Sequence, residues 1–295
     1  MPRRVRNGLW FRVAAIPRIV VPSQRSRRIS AKAACSNRFG PALFAVYSIG
    51  TAQLPLVYML QESATSVLIP RVSLLQRSGE HREIVMQMIR AIRKLAAAYL
   101  PIYFLLLVAG REFIRFLFTD RYADAWPVFA VNLTLLPISV ILFDPLYRAY
   151  AEQRYFLIRL RIVLCLAIIP LLWFGTARFG PVGAIAAVVA VLLTERVITI
   201  IRFSGILGLS WSDAALAMDV GKLAVAAGAA GLATALVRAR ILGHKPIFIL
   251  IVCGVIFGAV YLAGVLVLRI PSPDEKRFAL ARLMAILPSS LRPLL

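Results

Sequence analysis

The sequence predicts an all-α fold, a polytopic membrane helical bundle of about seven transmembrane helices. Three observations carry this. Hydrophobic residues make up 60% of the chain and mean hydropathy is +0.81, more apolar surface than a soluble domain of this length can bury. Charged residues fall in clusters between long apolar runs, as in multi-pass membrane proteins. Those runs do not alternate, as the strands of a membrane barrel would.

Residues 1–38 stand apart, with ten Arg and Lys and no Asp or Glu. Their mildly apolar part, Asn7 to Pro22, is interrupted by Arg12, Pro17 and Arg18. It is too short and too charged to span, and it lacks the apolar core of a secretory signal. It reads as a disordered or surface-bound basic arm.

A helix needs about 20 residues to cross about 30 Å of hydrocarbon. Seven runs meet that length: Pro41 to Pro70, Lys94 to Phe118, Trp126 to Tyr147, Phe156 to Ala177, Phe179 to Ile201, 217–237 and 246–268. The sixth is rich in Ala and Gly, which serve either as close-packing positions or as filler. Two connectors carry helical apolar stripes. In 82–94, Ile84, Met88 and Ile92 repeat beside Arg82, Arg90, Arg93 and Lys94, the pattern of a helix lying on a membrane surface. In the tail, 271–295, Ser272, Pro273 and Glu275 form a helix-start signature ahead of Phe278, Leu283 and Ile286. A plain connector without lipid contact accounts for either stretch equally well.

The net charge of +22 would suggest nucleic acid in a soluble protein. Here the cations flank apolar runs, and no basic face carries stacking aromatics, so headgroups and the positive-inside bias explain most of the excess. Cys35, Cys165 and Cys253 are far apart, and His81 and His244 lie in charged connectors, so neither a disulfide framework nor a metal site is expected. No Walker loop, nucleophile elbow or dinucleotide fingerprint is present. No cofactor and no covalent chemistry are expected.

With alternating spans, eighteen cations fall on the side of the first, third and fifth connectors and the C-terminal tail, against seven on the other. That side is predicted to be cytoplasmic. The ten cations of the N-terminal arm then fall outside and cancel the bias. Either a further span precedes Phe39, or the first run does not cross as drawn.

Within the runs, polar residues are few. Glu62 follows an uncharged run from Phe39 to Gln61 and lies about 13 Å along a helix from Arg71. If Arg71 marks an interface, Glu62 is near mid-membrane, where a carboxylate needs a partner, a proton or water. Glu62, with Gln61 and Ser63, then faces a cavity. The competing reading is a carboxylate at a helix end in water. Gln53 and Asn132 either line the same cavity or serve as interhelical hydrogen bonders. Asp144 and Arg148 are spaced as an i,i+4 pair, placed to meet a diphosphate through the guanidinium or simply to finish a helix at the interface. Glu195 and Arg196 read as a surface pair closing the fifth span.

From Phe39 to Gly208 the chain resembles the C-terminal half of an oligosaccharide or polysaccharide flippase of the MOP exporter superfamily, with the MATE-like fold. The likeness rests on YSIGTAQLPLVYMLQESATSVLIPRVSLL (47–75), FIRFLFTDRYADAWPVF (113–129), LPISVILFDPLYRAYAEQR (136–154) and FGPVGAIAAV (179–188), in family order. It implies a MATE-like C-terminal lobe over 39–208 and two additional helices over 209–270. Residues 271–295 would be a cytoplasmic tail, and a missing N-terminal lobe would be supplied elsewhere. It also implies translocation of polyprenyl-diphosphate-linked oligosaccharide for cell-surface polysaccharide or lipopolysaccharide biosynthesis, in a bacterial inner membrane. The mechanism would be alternating access around a cationic cavity. The expected substrate-path residues are Glu62, Gln61, Gln53, Asp144 and Arg148, and the expected partners are lipid-linked oligosaccharide and membrane lipids. A multidrug or cation antiporter of the same fold is the alternative. An integral-membrane sugar transferase fits poorly, because the cytoplasmic loops are acid-poor.

Overall fold

Prolines and glycines place most of the helix boundaries. In the computed structural model, which describes residues 40–208, 211–241 and 243–268, α1 (Pro41–Gly50) and α2 (Pro55–Ser78) each start on a proline, whose missing N–H costs nothing at that position. Helix α2 ends on Gly79, which takes the left-handed conformation (φ 77). Next come α3 (His81–Phe118), a 3-10 turn (Asp120–Ala125), α4 (Trp126–Leu133), α5 (Leu135–Ser139), α6 (Asp144–Ala149), α7 (Arg154–Leu207), α8 (Trp211–Arg240) and α9 (Pro246–Val267). No strand occurs among the described residues.

Four helices are long and apolar enough to cross a membrane: α3, α7, α8 and α9. Helices α1 and α2, bent by 46° at residues 51–54, make a fifth crossing if counted together. The first run, expected as one span, is thus broken just ahead of Pro55, and Pro70 lies inside an uninterrupted helix.

Helix α7 is not one rod. Gly180 has φ 57 and ψ −137, a conformation that side chains oppose, and the chain reverses there. Gly175 and Gly183 meet backbone to backbone across the turn, where a Cβ on Gly175 would lie 2.6 Å from the Gly183 carbonyl oxygen. The arms, 154–179 and 181–207, pack Leu164, Ile168 and Leu172 against Ile185, Val188 and Leu192. They correspond to the expected fourth and fifth runs.

The expected third span is the main departure. Trp126 to Tyr147 is not one helix but α4, α5 and α6, separated by a non-helical stretch at 140–143. Pro137 and Pro145 remove backbone donors on either side of that stretch. The 82–94 stripe also departs from the surface-helix reading. It is the first part of α3, and Ile84 and Met88 are buried against Leu68 and Val72 of α2. Its apolar face packs on protein. The N-terminal arm and the amphipathic tail lie outside the described residues.

Helices α8 and α9 form a tight trio with α3. Ala227, Ala230 and Thr234 are fully buried, Phe104 of α3 lies over Gly228 and Gly231, and Gly264 of α9 meets Ala226. Here the small residues of the sixth run let backbones approach, which is their packing use in lipid. Outward faces stay apolar: Val225, Leu232 and Leu236 on α8, and Ile251, Val255 and Leu262 on α9, are exposed where acyl chains would lie. That accounts for much of the apolar excess in the composition.

Candidate substrate-path cavity

A cavity of about 590 Å³ opens between the α1–α2 break, the early turns of α2, α4, α5, the start of α6 and the first arm of α7. Its polar lining is Gln53, Gln61, Glu62, Asn132, Ser139, Asp144 and Arg161, with Tyr58 at one side. Four of the five expected substrate-path residues therefore share one cavity. Arg148 is exposed on α6 and is not part of the lining.

The broken helices explain why the cavity is here. A break at membrane depth frees backbone carbonyls, which persist only where protein or a wet cavity satisfies them. At the first break, Asn132 Nδ2 donates to the Ala52 carbonyl at 3.4 Å. At the second, Arg196 donates to the Ile141 carbonyl at 2.9 Å and lies over the Phe143 ring, 5.1 Å from its centroid. Each break is held by a side chain from a neighbouring helix. Nearby, Tyr99 of α3 donates to the Val57 carbonyl at 2.8 Å and ties α3 to the first turn of α2.

Glu62 sits two turns into α2, exposed toward the cavity, in a helix that continues to Ser78. It does not end a helix. Asp144 begins α6, where a carboxylate suits the helix dipole. Arg161, on the first arm of α7, donates from Nε to Glu195 Oε1 on the second arm at 3.0 Å. Glu195 is buried, 5% exposed, so the reading of Glu195 and Arg196 as a surface pair fails. Both side chains point inward because the hairpin brings the arms together.

One lining group was not legible as such. Arg161 reads in sequence as one more connector cation, and only the fold-back at Gly180 gives it Glu195. Asn132 both bonds across helices and reaches the cavity, which joins the two roles left open for it. Its Oδ1 is buried and has no hydrogen-bond partner among the described residues.

A second ionic site lies outside the cavity. Glu112 of α3, 3% exposed, receives a two-pronged contact from Arg238 of α8, Nη2 to Oε1 at 2.7 Å and Nε to Oε2 at 3.2 Å. At the other end of the same two helices, Arg93 pairs with Asp219 at 3.5 Å. Glu112 follows Arg93 by nineteen residues, and Arg238 follows Asp219 by nineteen. The helices therefore run parallel in one register. The pairs lie about 28 Å apart along the axis, close to the hydrocarbon thickness.

The α1–α3 side of the cavity can be compared with known families. Residues 33–127 match the polysaccharide biosynthesis protein family. The matched segment contains Gln53, Gln61 and Glu62, and stops short of Asn132, Asp144 and Arg161. No curated protein and no solved structure matches the chain. The long apolar helices and the match together describe a multi-pass membrane protein connected with polysaccharide biosynthesis.

Proposed function

We propose that this chain forms one wall of a translocator for polyprenyl-diphosphate-linked oligosaccharide in a bacterial inner membrane. A second helical bundle would supply the facing wall. The observation that carries the reading is a polar cavity set among lipid-facing helices, whose near wall lies in the segment matched to polysaccharide biosynthesis. Discontinuous helices lining a site near mid-membrane are the usual construction of an alternating-access path. The work is binding and reorientation of a headgroup; no bond is made or broken.

The test is binding and flipping by the purified chain in vesicles with a fluorescent polyprenyl-diphosphate oligosaccharide. Saturable binding is expected, with flipping no faster than in empty vesicles. Absence of binding overturns the translocator reading. Flipping by the chain alone removes the need for a second bundle.

One observation favours the antiporter alternative: the lining carries two carboxylates, Glu62 and Asp144, and a cation already paired. Proton-coupled efflux of a cationic dye, indifferent to glycolipid, would replace the first reading with this one.

A further inference from the structure

The family likeness implies a cationic cavity suited to a diphosphate, yet this wall carries more carboxylates than cations. The ionisable side chains of acid and guanidinium type lining it are Glu62, Asp144 and Arg161, and Arg161 is held by Glu195 at 3.0 Å. Arg196 stands behind the lining, committed to the Ile141 carbonyl and the Phe143 ring. Counting Glu195, the site has three carboxylates to one guanidinium, and Arg196 offsets part of the excess from outside. A diphosphate brings negative charge and finds no uncommitted guanidinium among the lining residues, so the carboxylate excess repels it.

Asn132 adds an independent observation. Its side chain is 7% exposed, and Oδ1 has no partner among the described residues. The amide cannot simply be turned over, because Nδ2 donates to the Ala52 carbonyl, and the reversed amide would set two carbonyl oxygens against each other. A buried acceptor left unpaired is costly, so a ligand donor placed there is rewarded. Gln53, Gln61, Ser139 and the two carboxylates add further acceptor oxygens to the same lining.

We propose that this cavity holds the sugar portion of the ligand through its hydroxyl or ammonium donors, with Asn132 Oδ1 as the fixed acceptor, and excludes the diphosphate. The choice of sugar over other donor-rich solutes rests on the translocator reading. The diphosphate's cations then lie outside this cavity.

Free sugars and inorganic pyrophosphate separate the possibilities. The purified chain in phosphatidylcholine nanodiscs is titrated with glucose, glucosamine and pyrophosphate, and binding is followed by saturation-transfer NMR and competition. Glucose should bind, glucosamine more tightly because it adds a cationic donor, and pyrophosphate should neither bind nor compete. Asn132→Leu should weaken both sugars about tenfold, the loss of one buried hydrogen bond. Glu62→Gln, at an exposed position that leaves the fold intact, should erase the preference for glucosamine over glucose. Pyrophosphate binding, absence of sugar binding, a folded Asn132→Leu protein that binds as before, or an undiminished glucosamine preference in Glu62→Gln each overturns the proposal. A chain that binds free sugars but not lipid-linked oligosaccharide keeps this inference and loses the translocator reading. One that binds the lipid-linked form but pyrophosphate instead of free sugar does the reverse.

Discussion

Two ion pairs of the same chemistry sit in opposite surroundings. Glu112–Arg238 closes the seam of α3 and α8 among buried small residues, beside Ala109, Ile249 and Cys253. Arg161–Glu195 joins the two arms of α7 at the edge of a cavity of about 590 Å³. In the first region, parallel helices in register pack small residues closely along the seam. In the second, broken helices cannot pack so closely, and the gaps are lined with polar side chains. A buried pair contributes little net stability by itself; its consequences depend on what reaches the charge left behind when one partner is removed. Glu112 lines no such cavity and is only 4% exposed at its side chain, whereas the cavity opens beside Arg161.

That contrast sets the largest expected effect. Arg238→Ala leaves Glu112 buried and unpaired, and should cost about 3–5 kcal/mol against unfolding in mixed micelles. Removing both charges, Glu112→Gln with Arg238→Gln, should cost less than the single change. Arg161→Ala should cost less than Arg238→Ala, because cavity water can reach Glu195. Equal losses at the two pairs would mean that the cavity edge is as dry as the seam.

The second expected effect concerns the turn that creates the cavity edge. Gly183→Val would drive a side chain into the Gly175 backbone and splay the arms, with a loss of about 1–3 kcal/mol. Gly180→Ala meets no neighbour and should cost about 1 kcal/mol through its backbone conformation alone. A pair of cysteines at 161 and 195 reports the same thing: it should crosslink in the parent chain and fail to in Gly183→Val.

These residues also show how far the sequence could be read. Helical membrane character was legible because apolar runs of spanning length are a direct consequence of bilayer thickness. Gln53, Gln61, Glu62 and Asp144 stood out because polar groups inside such runs need a reason. Arg161 did not, since its partner is 34 residues away and reaches it only through the reversal at Gly180. Glu112 and Arg238 are 126 residues apart, and no local pattern joins them. The stripe at 82–94 stayed open in sequence because periodicity shows that a helix has an apolar face, not whether protein or lipid covers it. The third run failed as a span because hydropathy sees composition, while Pro137 and Pro145 act on backbone donors.

A milder change tests accessibility along α2. In a chain cleared of Cys35 and Cys165, cysteine at 62 should react with a membrane-impermeant maleimide, and cysteines at 65, 68 and 72 should not. Thr65, Leu68 and Val72 are buried at 8%, 6% and 0% exposure, while Glu62 lines the cavity. Cys253 is fully buried and should stay silent. Uniform labelling at all four positions would mean that α2 is not packed as described.

The smallest expected effect is at Tyr147. Its hydroxyl meets Thr199 Oγ1 at 2.5 Å, linking α6 to the second arm of α7, while its ring packs edge-on against Phe203. Hydrogen bonds between helices in membranes are worth about 0.6 kcal/mol on average, since the separated helices find other partners. Tyr147→Phe keeps the ring and removes only the hydroxyl, so the stability loss should be near that value. Thr199→Val removes the other end of the same bond and should cost a similar amount, and the double change should cost little more than either. If the double change instead costs the sum of the two, each hydroxyl is serving a different partner, and α6 is held against α7 by ring packing and Arg196 alone.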